Sequence, residues 1–350
     1  MFRDKNREPS FTNLECVLQK NPPPRAVLFD FIIGESKERM LVGESYRADT
    51  EFDRIVTTIR AFDSGGYDFA PIIVRGLEFE RNVPLERSAQ TKSLNEGSVI
   101  IDRASYESYS WPEIDRCDFS VLTRAASYLH PDAKFVIFSH DGILENTIGI
   151  VGYEQLCLML YEDEPLAREI FAQVGARVLS YYETSLEYDE IGAVLLNDDW
   201  GFNTQTMISP KSLRTYVFPW YKKIVDMVHK KGKYAILHSC GKFDAILDDI
   251  IDDMGFDGRH SYEDNILPVE KAYEALHGKI AVLGGIDVDF MVRSRPEDIY
   301  LRSTKMLERA KARGGYALGS GNSIPDFIPD DHYRALLRAA LDWDQQRGSK

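Results

Sequence analysis

His238 and Cys240 stand two residues apart where the apolar run 234–238 ends. In extended backbone, residues i and i+2 point to the same side, so the imidazole and the thiolate can share one ion. Mixed nitrogen and sulfur donation suits Zn²⁺. Two donors do not complete a site, and His140, Asp199, His260 and Glu263, each near the end of another apolar run, are the candidates for a third. Spacing alone does not rank them, and it fits a hydrogen-bonded histidine beside a half-buried thiol equally well. Asp198-Asp199, followed by Trp200-Gly201, puts two carboxylates at the end of the run 193–197. There they can bind a substrate donor, move a proton, or cap the next helical turn. Gly284-Gly285 and the turn 319–321 follow two later runs, where backbone N–H groups can face an anion; tight turns alone would also call for these glycines.

These residues share a position in a repeating pattern. Short runs rich in Val, Ile, Leu and Phe recur at 26–31, 69–74, 135–139, 193–197, 234–238, 256–260, 280–284 and 316–319, each reading as a buried strand. Helical spacing fills the later gaps. Ser209-Pro210 opens 211–230 and Gly232 follows it, 243–254 closes at Gly255, 296–312 closes at Gly314-Gly315, and 331–343 makes a last helix. Strand and helix in alternation imply parallel strands joined by right-handed crossovers. The count favours an α/β fold of one (β/α)8 barrel, with an open doubly wound sheet as the alternative. Barrels of this kind carry their reactive groups at the C-terminal ends of the strands, where the polar residues above fall. The stretch 76–128 is weakly periodic and reads as an elaborated loop and helices over the mouth. Residues 1–25 are expected to form an extension packed on a barrel spanning 26–350.

Composition narrows the function. The chain has 350 residues with 42 basic and 56 acidic side chains, a net charge of −14, and no Lys/Arg cluster, which speaks against nucleic acid or an anionic membrane surface as a partner. The four cysteines, Cys16, Cys117, Cys157 and Cys240, form no C-x-x-C pair, so neither a disulfide framework nor a zinc ribbon is expected. The first 20 residues lack an apolar signal core, and a cytoplasmic setting is the expectation.

Asn197-Asp198-Asp199-Trp200-Gly201, Ile208-Ser209-Pro210, Tyr216 through Pro219-Trp220, His229 and His238-Ser239-Cys240-Gly241 together resemble the uroporphyrinogen decarboxylase superfamily. Gly284-Gly285-Ile286-Asp287 and Gly319-Ser320-Gly321-Asn322-Ser323-Ile324-Pro325 continue the likeness in order, over roughly the last 200 residues. The resemblance implies a (β/α)8 barrel. True decarboxylases of the superfamily carry an Arg-Gln-Ala-Gly-Arg-Tyr signature near the N-terminus, and Pro22-Pro23-Pro24-Arg25-Ala26 stands in that neighbourhood here. The corrinoid-dependent methyltransferase branch is the better match, because its His-x-Cys zinc pair corresponds to His238 and Cys240. That branch's later cysteine ligand falls at or beside Asn322, and no cysteine follows Cys240. His260 and Glu263 are the first candidates to replace it.

The resemblance therefore implies a methyltransferase that moves a methyl group between a small methylated compound or thiol and a cobalamin carrier protein, with zinc on His238 and Cys240. Asp199, Glu263 and His260 are its expected acid–base and orienting groups. Asp30, His140, Trp200, Asp287 and Asn322 are its expected substrate-binding set. The corrinoid has to come from a partner protein, since the chain has no Asp-x-His-x-x-Gly stretch, and decarboxylase relatives suggest a homodimer. The alternatives are a metal-free decarboxylase or lyase using Asp199 and His260, and a barrel that holds a corrinoid or tetrapyrrole without turning it over.

Overall fold

β-branched and aromatic residues bounded by turns form seven parallel strands: β1 Phe69–Ile72, β2 Lys134–Phe138, β3 Ile191–Asn197, β4 Tyr234–His238, β5 Gly258–His260, β6 Ala281–Leu283 and β7 Tyr316–Ala317. They hydrogen-bond in sequence order as one sheet. The structure is a computed structural model that describes residues 7–82, 94–95 and 97–348. Residues 1–6 of the expected extension, and 83–93 and 96 of the expected loop region, lie outside the described residues.

The expected closed eight-stranded barrel is found as a curled seven-stranded parallel sheet, and the eighth expected strand is a short bridged segment. Leu28 pairs with Leu318 in parallel, Phe29 N–H donates to the Leu318 carbonyl at 2.8 Å, and Leu318 N–H donates to Val27 at 2.8 Å. The curl is visible in the side chains. Phe31 reaches Phe138 of β2, His238 of β4 and His260 of β5, with ring centroids 5.5, 4.6 and 5.6 Å away. The strands are buried because helices cover the outer face, as the near-continuous apolar runs require.

Several helices follow the sequence signals. Ser209 accepts from Ser212 N–H at 3.0 Å to start Pro210–Ser212, which continues through a π-helical turn, Leu213–Val217, into Phe218–Lys230. The helices Pro296–Ala310 and Asp330–Gly348 also fall where expected. The helix expected over 243–254 does not form at full length: only its end is regular, as the π-helical turn Asp249–Asp253. Its first residues instead belong to a loop that doubles back, with Lys242 N–H donating to Phe202 at 2.9 Å. The stretch 76–128 holds the short helices Arg103–Ser108 and Ser120–Ala126. The helix Phe11–Leu18 lies across the starts of the strands: a side chain at Gly192 would strike Phe11, and one at Gly258 would strike Leu18. Among the described residues no helix is long and apolar enough to cross a membrane.

Candidate active site

Parallel register brings the site together. Asn197 pairs with His238 and His238 with His260, so the ends of β3, β4 and β5 stand level and both histidines face the same way. Two loops then close over them. Gly241, at φ +102°, is pressed so tightly on Gly201 that a Cβ there would lie 2.2 Å from the Gly201 carbonyl carbon. Both the left-handed backbone and the lack of a side chain are needed. This contact lets Asp199 Oδ1 accept the Cys240 N–H at 2.8 Å. One ligand atom each from Asp199, His238 and Cys240 then lies within 4.8 Å of the others. The third donor to this group is Asp199; neither His260 nor Glu263, the first candidates from the sequence, joins it.

His260 has another task. Its Nδ1 lies 2.7 Å from His238 Nδ1, so one ring carries a hydrogen there and the other accepts it. Burial pushes both imidazoles toward neutrality, His238 well below its usual range and His260 down to about 3, with the Arg259 charge adding to the effect. His238 Nε2, 3.9 Å from Cys240 Sγ, can hold an ion only through its lone pair. The hydrogen of His238 then sits on Nδ1, and His260 is its acceptor.

Cys240 sulfur receives two neutral donors: Ser261 Oγ at 3.3 Å and Asn322 Nδ2 at 3.2 Å. Ser261 does this from a φ of +83°, one of two positive values among the described non-glycine residues. Strain of this kind gathers at functional sites. Burial and then the Asp199 carboxylate push the Cys240 thiol well above its usual range. Thiolate chemistry at Cys240 therefore calls for a positive charge.

The remaining expected site residues divide. Glu263 shares the field of Asp199 and Asp287, and burial first, then those carboxylates, raises its pKa. Asp287 caps the helix Val288–Arg293 through Phe290 N–H at 2.8 Å and also accepts Asp264 N–H at 2.9 Å. His140 is exposed, 3.5 Å from Asp141, while its carbonyl accepts Asn197 Nδ2. Two expectations need correction. Trp200 is fully buried against Phe218 and Tyr221, its indole N–H spent on Asp198 at 2.8 Å, so it offers no surface to a substrate. Asp30 is likewise fully buried, and it accepts from Ser320 N–H and Oγ and from the Tyr67 hydroxyl.

Glu145 carries no signal in the sequence. It sits in the first turn of the helix Ile143–Val151 and lines a cavity of about 320 Å³ together with Asp199. Burial, followed by the charges of Asp199, Asp198 and Asp141, holds its carboxyl well above the usual range. Only the fold brings 145 to 199.

Known proteins agree with this architecture. A methyltransferase from Methanosarcina mazei superposes with a TM-score of 0.71 at 17% identity, over 96% of this chain and 99% of its own. A Listeria monocytogenes protein assigned as a vitamin-B12-independent methionine synthase is looser, with a TM-score of 0.49 at 11% identity over 92% and 98% of the two chains. No curated protein sequence matches the chain. The model of the family described as uroporphyrinogen decarboxylase (URO-D) matches residues 134–343, more than half of the chain and every strand from β2 to β7, and the protein belongs to that family.

Proposed function

We propose that the protein is a methyltransferase in which Asp199, His238 and Cys240 hold zinc, and that it moves a methyl group between a small methylated compound and a corrinoid carried by a partner protein. The observation that carries this reading is the convergence of a carboxylate, an imidazole and a sulfur within 4.8 Å at the ends of β3 and β4. The donors fit the ion. Nitrogen, sulfur and oxygen are all zinc ligands, and three protein ligands leave a fourth position for substrate. Asp199 makes good the missing later cysteine, and Asn322, whose amide is a poor ligand, donates to the Cys240 sulfur instead. The likeness to a methyltransferase fold supports the reaction class.

When bound there, zinc supplies Lewis acidity toward a methyl-bearing heteroatom or a thiol. The protein's own residues do the rest. Cys240 gives up its proton on becoming a ligand, and Ser261 and Asn322 take up part of the sulfur's charge through their hydrogen bonds. His260 fixes the tautomer of His238. The Cys240 N–H holds Asp199 in place. Glu263, with its raised pKa, is a nearby group able to hold a proton for the substrate.

Metal analysis of protein purified without added metal tests this directly. Near-stoichiometric zinc is expected, lost in Cys240→Ser, His238→Ala and Asp199→Ala, with affinity in the parent rising with pH because binding displaces the thiol proton. A parent chain that takes up no zinc even when incubated with it would sink the reading. Metal-free decarboxylation or ligand holding would then be the functions to test.

A further inference from the structure

Side chains alternate along β5. His260 turns inward to His238 and Phe31, so Arg259 turns outward, toward the layer of helices. It is buried there, only 8% exposed. The rings of Phe243 and Tyr262 pack on its guanidinium, with centroids 4.5 and 4.7 Å from Cζ. Such rings hold a flat cation by its faces and leave hydrogen bonding to its edge. The edge is nearly unused. Nη2 donates to the Ser261 carbonyl at 3.2 Å, Nε is enclosed without a partner, and Nη1 keeps accessible surface and makes no hydrogen bond among the described residues. Among those residues no carboxylate forms an ion pair with the group. Asp244 and Glu263 act on it only from a distance, and Asp244 has Lys242 beside it at 3.4 Å. A buried guanidinium without a paired carboxylate is costly, and an anion that reaches its free edge relieves that cost.

Arg259 lines a cavity of about 230 Å³ between the loop 241–247 and the helix Val269–Leu276. Leu247, Ile266, Leu267 and Leu276 supply apolar walls. Neither Asn82 nor Leu94, the neighbours of residues 83–93, lines it; Leu94 meets Tyr153 instead. A dry cavity of about 150 Å³ already accepts a benzene ring, so the space here suits one ring and a small polar group. One cation among apolar walls matches a single negative charge, since a second would lose its hydration without a partner.

We infer that this cavity binds a small aromatic monocarboxylate, with the carboxylate on the free edge of the Arg259 guanidinium and the ring among the leucine side chains. The inference does not depend on the methyl-transfer reading, because the cavity lies on the outer face of β5. It does adjoin the candidate active site: Ser261, whose carbonyl holds Nη2, donates its hydroxyl to the Cys240 sulfur.

Benzoate and benzamide share an outline and differ in charge. Titration calorimetry of the full chain should show benzoate binding at least about tenfold tighter, and Arg259→Gln should remove most of that difference. Ala275→Trp, a change at an exposed position lining the cavity, should abolish benzoate binding. Equal binding of the two compounds, or no binding of benzoate, overturns the inference. Benzoate binding that survives Ala275→Trp also overturns it, because the carboxylate would then sit elsewhere, for instance on a metal held by Asp199, His238 and Cys240. The parent-chain comparison and Ala275→Trp decide the matter even if Arg259→Gln does not fold.

Discussion

At the scale of single residues, the site is a histidine pair in which one ring works through the other. His238 is positioned to donate to an ion, and His260 fixes the nitrogen it uses, because a 2.7 Å contact between two neutral imidazoles admits only one hydrogen. Partners of this kind set ligand orientation and basicity, and losing one typically costs metal affinity about 10- to 100-fold. His260→Ala should weaken zinc binding by about that factor in competition with a chromophoric chelator. His260→Asn, whose side-chain carbonyl can accept from His238 Nδ1, should recover part of the loss. Unchanged affinity in His260→Ala would mean that the contact only packs the core. The pair His238 and Cys240 was visible in the sequence because residues two apart in extended backbone at the end of a strand fall on the same side, whatever the rest of the fold does. The choice of Asp199 over His260 and Glu263 was not, since all three lie near strand ends and only the Gly201–Gly241 contact brings one of them to the sulfur.

At the scale of elements, adjacent carboxylates on one loop have separate duties. Asp199 faces the site, whereas Asp198 turns inward, fully buried, and satisfies the first N–H groups of the helix Ile143–Val151. The same carboxylate ties that helix to Trp200 and, through Tyr221, to the helix Phe218–Lys230. Asp198→Ala strands four donors, three of them fully buried, and should cost about 3–5 kcal/mol in urea unfolding while leaving Asp199, His238 and Cys240 in place. A loss below about 1 kcal/mol would show that water or neighbouring groups replace the carboxylate. The sequence left capping and substrate binding open for this Asp-Asp pair. The structure gives capping to the first residue and the site to the second, because consecutive side chains after a strand point in opposite directions. Element boundaries were legible where Pro or Gly marks them, as at Ser209-Pro210. They were not where a loop must double back, as over 243–246.

At the scale of the molecule, Asp30 fastens the first segment of the fold to the last. It receives two hydrogen bonds from Ser320 just beyond β7 and one from Tyr67 just before β1, with Tyr333 of the last helix 2.9 Å from the Tyr67 hydroxyl. Burial raises its pKa from 3.8 to about 6 against the pull of those donors. The folded state therefore binds more protons than the unfolded state between these two values, so this group's contribution to stability falls as pH rises through that window and stays low above it. The shift corresponds to roughly 3 kcal/mol. Unfolding free energies of the parent and Asp30→Asn should diverge by an amount of that order between about pH 4 and pH 7, the parent losing ground. A difference that stays flat with pH would place the Asp30 carboxyl in a wetter setting.

By itself the sequence determined the parallel α/β order, the positions of seven of the eight expected strands and the His-x-Cys pair. Each of these depends on local periodicity or on residues a few positions apart, and local geometry carries them. Only the tertiary structure decided that Asp199 joins His238 and Cys240, that His260 meets the His238 ring, that Trp200 and Asp30 belong to the core, and that Glu145 lines a cavity with Asp199. These depend on strand register and on loops meeting across the mouth. A polar residue at a strand end looks the same in sequence whether it turns toward the opening or into the packing, and what surrounds it after folding sets its burial, its charge and its role.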